Sequence, residues 1–168
     1  MPKITGFSVE VSLDVIRQAQ QGDIDAFEQI YHTYAEACYS LSWRICGQEV
    51  MAQDLVQDVF IKVINKINNY RADGVFAGWL RKIVVREAIN KIKAETKLHL
   101  VTDDDLSQQE CTDLFDCNWL ESCLDLETLT SQLSVTSRAV FMLHEVEGYN
   151  HKEIANFFNK SESFSKVT

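Results

Sequence analysis

The sequence predicts an all-helical protein of two small helical domains joined by a flexible acidic linker. Three observations carry that prediction. Over 168 residues there is one proline and six glycines, with 46% hydrophobic content, which suits a packed helical core. Apolar residues recur at threes and fours through several long stretches, the period of a half-buried helix. Charge is divided into blocks along the chain, as expected when separate surfaces meet separate partners. Residues 1–61 carry three bases and nine acids, and residues 62–97 carry nine bases and three acids. Residues 98–137 carry nine acids and no base, and the remainder balances at four each, so a local charge of +6 sits inside a chain of net charge −9.

The elements follow in order. Ser12 can cap a short helix that ends at Gly22. Asp23 opens a long helix whose apolar stripe is Ile24, Phe27, Ile30, Tyr31, Tyr34, Cys38, Leu41 and Ile45, and Gly47 stops it. That stripe is read as core. A third helix spans about Glu49 to Asn68, with Val56, Val59, Phe60, Val63 and Ile67 inward and Asp54, Gln57 and Asp58 outward. The two acids suit the helix dipole and would equally suit a basic helical partner.

Next comes the stretch that organises the rest. Tyr70 to Trp79 forms a loop with three aromatics and several small residues. From Trp79 onward the pattern is helical, and Lys82, Arg86, Asn90, Lys93 and Lys97 fall within an arc of roughly 80° at 100° per residue. Leu80, Val84, Ala88 and Ile92, edged by Val85 and Ile89, take another side. A basic stripe beside an aromatic loop suits opened nucleic acid: cations neutralise phosphates and aromatic faces stack on unpaired bases. A merely solvated face would have no reason to reverse the sign of an acidic chain.

Periodicity lapses from Leu98 to Leu120 and resumes through Leu124, Leu126, Leu129 and Leu133. Another helix is expected from about Thr136 to Glu147, with Val140, Phe141, Leu143 and Val146 as its apolar residues and Gly148 as its stop. Asn150-His-Lys-Glu153 is a capping box opening a short helix with Ile154, Ala155, Phe157 and Phe158. Asn159 can turn left-handed and Ser161 can cap a further helix, which together make a helix-turn-helix.

Several function classes find no support. There is no phosphate-binding glycine loop, no H-E-x-x-H and no nucleophile elbow, so no catalytic residue, enzyme activity or cofactor is assigned. His32, His99, His144 and His151 are scattered, and Cys111, Cys117 and Cys123 recur at a six-residue spacing that matches no zinc site. An odd count of five cysteines, no signal-like start and no apolar run of the ~18 residues that a span requires read as a cytoplasmic chain with reduced thiols.

Taken together, these stretches resemble the extracytoplasmic-function group of bacterial RNA polymerase sigma factors. Ala52-Gln-Asp-Leu-Val-Gln-Asp-Val-Phe60 looks like that family's polymerase-binding helix. Phe76-Ala-Gly-Trp-Leu-Arg-Lys-Ile83 looks like its F-x-x-W-L segment, and Ala88-Ile-Asn-Lys-Ile92 like the promoter-reading turn after it. Arg138-Ala-Val-Phe-Met-Leu143 and Glu147-Gly-Tyr-Asn-His-Lys-Glu-Ile-Ala155 are similar to its second DNA-binding domain. The resemblance covers Asp14 to Thr168, with all the motifs in order.

The resemblance implies a four-helix promoter-melting domain over residues 1–97, an acidic linker over 98–119 and a helix-turn-helix domain over 120–168. It implies that Asp54, Gln57 and Asp58 dock on the clamp helices of the largest subunit of core polymerase. The loop from Tyr70 to Gly78 would hold a base flipped from the minus-ten element. Of the DNA-binding candidates Tyr70, Arg71, Phe76 and Trp79, Arg71 and neighbouring backbone would line the base pocket and Trp79 would mainly anchor the loop to the helix. Lys82, Arg86, Asn90, Lys93 and Lys97 would grip the opened strand, and Ser163, Phe164 and Lys166 would approach the minus-thirty-five element. An anti-sigma factor is the expected further partner. Asn90 stands where the family often has an acid, and Asn159 replaces the usual turn glycine. The chain reaches its end a few residues into the recognition helix, from which a C-terminal truncation is expected. The competing reading is a polymerase-binding regulator or decoy without full promoter selection.

Overall fold

A computed structural model describes residues 6–72, 74–102, 130 and 132–168, and for 98–102 the backbone alone. A 3-10 turn at Gly6–Ser8 precedes α1 (Leu13–Gln20), α2 (Ile24–Cys46), α3 (Glu49–Lys66), a second 3-10 turn at Ile67–Asn69, and α4 (Phe76–Thr102). Beyond residue 130 come α5 (Val135–Phe141), a π turn at Met142–Val146, α6 (His151–Phe158) and α7 (Glu162–Val167). Among the described residues there is no strand, and no helix is long and apolar enough to cross a membrane. The expected acidic linker and the resumed pattern from Leu120 to Leu129 lie outside the described residues, as do Cys111, Cys117 and Cys123.

The local signals act as anticipated at most helix ends. Ser12 Oγ accepts from Val15 N at 3.4 Å, and Asp23 Oδ1 accepts from Asp25 N and Ala26 N at 2.9 and 3.1 Å. Gly47 takes the left-handed conformation (φ 71°), and its amide donates to Trp43 O at 2.7 Å. The Asn150–Glu153 capping box closes in both directions at 2.9 Å. Asn159 is left-handed (φ 54°, ψ 43°), which turns the chain into α7. Ser161 occupies the cap position of α7 without capping it, since its Oγ lies 2.8 Å from Ser163 Oγ instead.

Four expectations need correction. α4 begins at Phe76, so the first turn of the helix absorbs part of the expected loop, and it continues past Lys97 to Thr102. α3 ends at Lys66, where the backbone tightens into the 3-10 turn. Ile24 and Tyr31 are not core: Ile24, at the first position of α2, is 80% exposed, and Tyr31 sits at the edge of the stripe against the Phe60 ring. The helix expected from Thr136 to Glu147 is α then π, with Glu147 N donating to Met142 O at 3.0 Å. Val140 and Leu143 are buried, Phe141 is half-buried, and Val146, at the end of the wider turn, is exposed.

α1 to α4 pack around Ile30, Tyr34, Leu41, Leu55, Val59, Leu80, Ile89 and Ile92, all buried. The C-terminal helices build a smaller cluster, Ala139, Val140, Leu143, Ile154 and Phe158, continuous with the first. Ala155, 2% exposed, keeps the side chain small beneath the helix-turn-helix. The His144 and His151 rings stack at 4.2 Å, and His151 Nδ1 lies 3.0 Å from the buried Ser165 Oγ, joining the π turn, α6 and α7.

Candidate nucleic-acid interface

The loop between α3 and α4 is held at both ends. Gln20 Nε2 donates to Ile67 O at 2.9 Å and to Tyr70 O at 3.0 Å, fixing the exit from α3. Ala72 takes a left-handed conformation (φ 56°), the Tyr70 hydroxyl donates to Gly74 O, and Gly78 N donates to Val75 O at 3.0 Å as α4 begins. Tyr70, Phe76 and Trp79 form one aromatic cluster, with ring centroids 5.3, 5.6 and 5.4 Å apart pair by pair. Tyr70 and Phe76 are buried and Trp79 half-buried, whereas Arg71 is exposed.

Beside this cluster lies a cavity of about 670 Å3, bordered by Glu10, Val11, Tyr34, Tyr70, Gly74 and Phe76. That volume falls within the ordinary range for small-ligand sites, roughly 300–1,000 Å3. The segment before α1 forms one wall, because the Tyr34 hydroxyl donates to Val9 O at 2.8 Å and accepts from Val11 N at 3.3 Å. Burial raises the pKa of that hydroxyl, so it stays a donor. Sequence reading missed Gln20, Tyr34 and the Val9–Val11 strap as parts of this site. No local signal marked them, since their partners lie 23 to 50 residues away.

Along α4 the apolar side is buried, from Leu80 through Val84, Val85, Ala88, Ile89 and Ile92. Lys82, Arg86, Asn90 and Lys97 are exposed, and Lys93 is half-buried. Lys93 Nζ donates to Phe157 O at 3.0 Å and lies 5.8 Å from the Phe158 ring centre. Burial, then the charges of Lys160 and Lys97, lower the pKa of the Lys93 ammonium. Arg86 and Asn90 border a cleft of about 330 Å3 whose far wall is Glu153, Asn156, Phe157 and Asn159. The structure thus brings the five stripe residues onto one face and lays α6 against the middle of it.

On α3, Asp54, Gln57 and Asp58 are all exposed. Lys91 Nζ lies 3.6 Å from Asp54 Oδ2 and 3.5 Å from Asp58 Oδ2, a weak internal tether for a pair that faces solvent. In α7, Ser163 is exposed while Phe164 turns inward, its ring 5.3 Å from that of Phe158. Lys166 pairs with Glu162 at 2.8 Å within the same helix, and that contact lowers the Glu162 pKa.

The comparisons with known proteins fall on these same segments. The Sigma-70 region 2 family model matches residues 30–98, and Sigma-70, region 4 matches residues 123–166. This chain belongs to the sigma-70 family. Within it the relatives are of the extracytoplasmic-function (ECF) group. The chain is 24% identical over 140 residues to the ECF RNA polymerase sigma factor SigE of Mycolicibacterium smegmatis, covering 80% of this chain and 53% of that protein. It is 32% identical over 78 residues to the ECF RNA polymerase sigma factor SigW of Bacillus subtilis, covering 46% of this chain and 42% of that one. The chain therefore spans about half the length of those relatives.

Among solved structures it is similar to the sigma factor RpoE in complex with the anti-sigma factor NepR from Bartonella quintana. There the TM-score is 0.54 at 18% identity, covering 86% of this chain and 89% of that one. CnrH in complex with the cytosolic domain of CnrY gives a TM-score of 0.50 at 18% identity, covering 92% of this chain and 86% of that chain. At that identity the likeness speaks for the fold. The region 2 match ends where the basic stripe of α4 ends, so the stripe and the loop belong to one sigma module.

Proposed function

We propose that the chain is a sigma factor that directs core RNA polymerase to promoters and opens them. The observation that carries this reading is that one helix, α4, starts at a cavity bordered by Tyr70 and Phe76 and carries the basic face along its length. A base leaving the minus-ten element would enter the cavity beside Tyr70, Gly74 and Phe76, while Lys82, Arg86, Lys93 and Lys97 hold the phosphates that follow it. Stacking and phosphate neutralisation together favour the unpaired strand over the duplex. Asp54, Gln57 and Asp58 would meet the clamp helices of the largest polymerase subunit, where a basic partner can displace the loose Lys91 contacts. The helix-turn-helix of α6 and α7 would approach the minus-thirty-five element, and the acidic linker would run toward the active centre. Bond making would fall to the polymerase. Both solved relatives are complexes with named regulators, and an anti-sigma factor is expected here too.

Run-off transcription with core polymerase, with and without the chain, tests the proposal. Discrete chain-dependent transcripts are expected, and transcripts identical with and without it would end the proposal. A second reading has one observation in its favour: the charge of Lys166, the only base in α7, is already met by Glu162. A recognition helix whose one base has an acidic neighbour fits a polymerase-binding regulator with weak minus-thirty-five recognition, and the exposed Lys152 and Lys160 of the same module speak for DNA contact instead. Polymerase binding without chain-dependent transcripts would select it.

A further inference from the structure

One carboxylate bridges the two modules. Glu147 follows the π turn, and its side chain is 8% exposed. One of its oxygens meets Arg44 Nη2 of α2 at 2.8 Å, and the other meets Arg81 Nη2 of α4. The same Arg81 nitrogen also donates to Glu147 O at 2.7 Å, and the Arg81 guanidinium lies 5.3 Å from the Tyr149 ring centre. Alongside, the buried Arg138 of α5 donates from Nε to Arg44 O at 3.0 Å and lies over the Trp43 ring. So one carboxylate ties α2 and α4 of the first module to the turn before the helix-turn-helix.

Closure here has a consequence for α4. With Glu147 seated, Phe157 O receives Lys93, and α6 forms the far wall of the cleft beside Arg86 and Asn90. Lys93 spends one of its three donors on that carbonyl, and α6 stands where a strand would have to lie to reach Arg86, Asn90 and Lys93 together. We propose that Glu147 is an intramolecular latch, holding the C-terminal module on the basic face of α4 so that the module and single-stranded DNA compete for one surface. The inference deepens the sigma-factor reading and rests on its assignment of the α4 face to nucleic acid.

The latch is built to release. Arg44 Nε and Arg81 Nε are buried with no protein hydrogen-bond partner, and water would satisfy both on opening. Arginine also pairs readily with other anions, so a phosphate strand or an acidic partner can replace Glu147. When a binding-competent state is only a fraction of the population, apparent affinity falls by that fraction. Breaking the latch therefore raises affinity for single strands without adding a contact.

The test uses the full chain, with Glu147→Gln, Glu147→Ala and Arg44→Ala. Small-angle scattering reports opening, and anisotropy of a labelled single-stranded oligonucleotide of mixed sequence reports access to α4. Glu147→Ala is expected to increase the radius of gyration and tighten oligonucleotide binding about tenfold, or about 1.4 kcal/mol. Glu147→Gln keeps the side-chain volume and shifts both readings the same way. Arg44→Ala decides the matter by sign. Losing a cation weakens DNA binding on charge alone, whereas losing the latch strengthens it. Expansion with tighter binding in Arg44→Ala supports the latch. Unchanged dimensions in all three variants overturn it, as does expansion with unchanged or weaker binding. Because the probe carries no promoter element, these results stand apart from run-off transcription, which tests promoter selection by itself.

Discussion

Cys38 and Cys46 show how burial alone sets a residue's chemistry. Burial pushes both thiols up from about 9 to about 12, with the Glu95 charge adding to the effect at Cys46. The folded pKa lies above the unfolded one, so the stability that this contributes is whole below pH 9 and is lost as pH rises toward 12. Each thiol should steepen the loss by about 1.4 kcal/mol per pH unit in that window. Chemical denaturation from pH 8 to 11 checks this, and Cys38→Ala with Cys46→Ala should flatten the profile. Trp79 makes a second case. It is half-buried, its ring packed against those of Tyr70 and Phe76, and an anchoring role for it is an expectation that substitution can check. Trp79→Ala should cost about 2 kcal/mol, less than the loss of a fully buried tryptophan. A calorimetric melt unchanged by the substitution, with promoter opening abolished, would make Trp79 a base-contacting residue instead.

At the scale of elements, what was legible was whatever local chemistry determines. The caps at Ser12, Asp23, Gly47 and Asn150 and the left-handed Asn159 depend on neighbours within a few residues, and they were readable as such. Ile24 and Tyr31 were misplaced because a spacing of threes and fours marks a face without marking where its edge or the helix end falls. The π turn was invisible because no residue preference in Met142–Val146 marks one. Gly47 joins the two kinds of constraint. Its positive φ suits a helix stop, and a Cβ there would lie 2.9 Å from Arg138 Nε. Arg138 cannot easily withdraw while it donates to Arg44 O. Gly47→Ala should therefore destabilise by about 2 kcal/mol, more than left-handed strain alone and less than loss of a core side chain. Thermal unfolding measures it, and a loss below about 0.5 kcal/mol would show that Arg138 yields freely.

At the scale of the molecule, the charge blocks were readable as blocks but not as an interface. The basic block over residues 62–97 and the acidic block over 98–137 attract one another, but that names no contact. The latch, however, draws its carboxylate from the balanced C-terminal block, and its partners Arg44 and Arg81 come from two different blocks. Pairings of this kind span 66 residues or more, beyond any periodicity. The reversal of sign on α4 does make one quantitative expectation. Lys82, Arg86, Lys93 and Lys97 are cations of one face, and of these Lys93 donates to α6. Each phosphate neutralised on a single strand contributes about −0.7 to the slope of log K against log salt, so four cations give about −3. Salt also weakens the closed arrangement, since ion pairs hold it, and this partly offsets the fall in affinity. Wild-type protein should thus show a shallower slope than Glu147→Ala, in which the offset is gone. Titrating a single-stranded oligonucleotide across a series of salt concentrations measures both slopes. A slope near zero in the opened variant would mean that the α4 face carries no phosphate, whatever its charge.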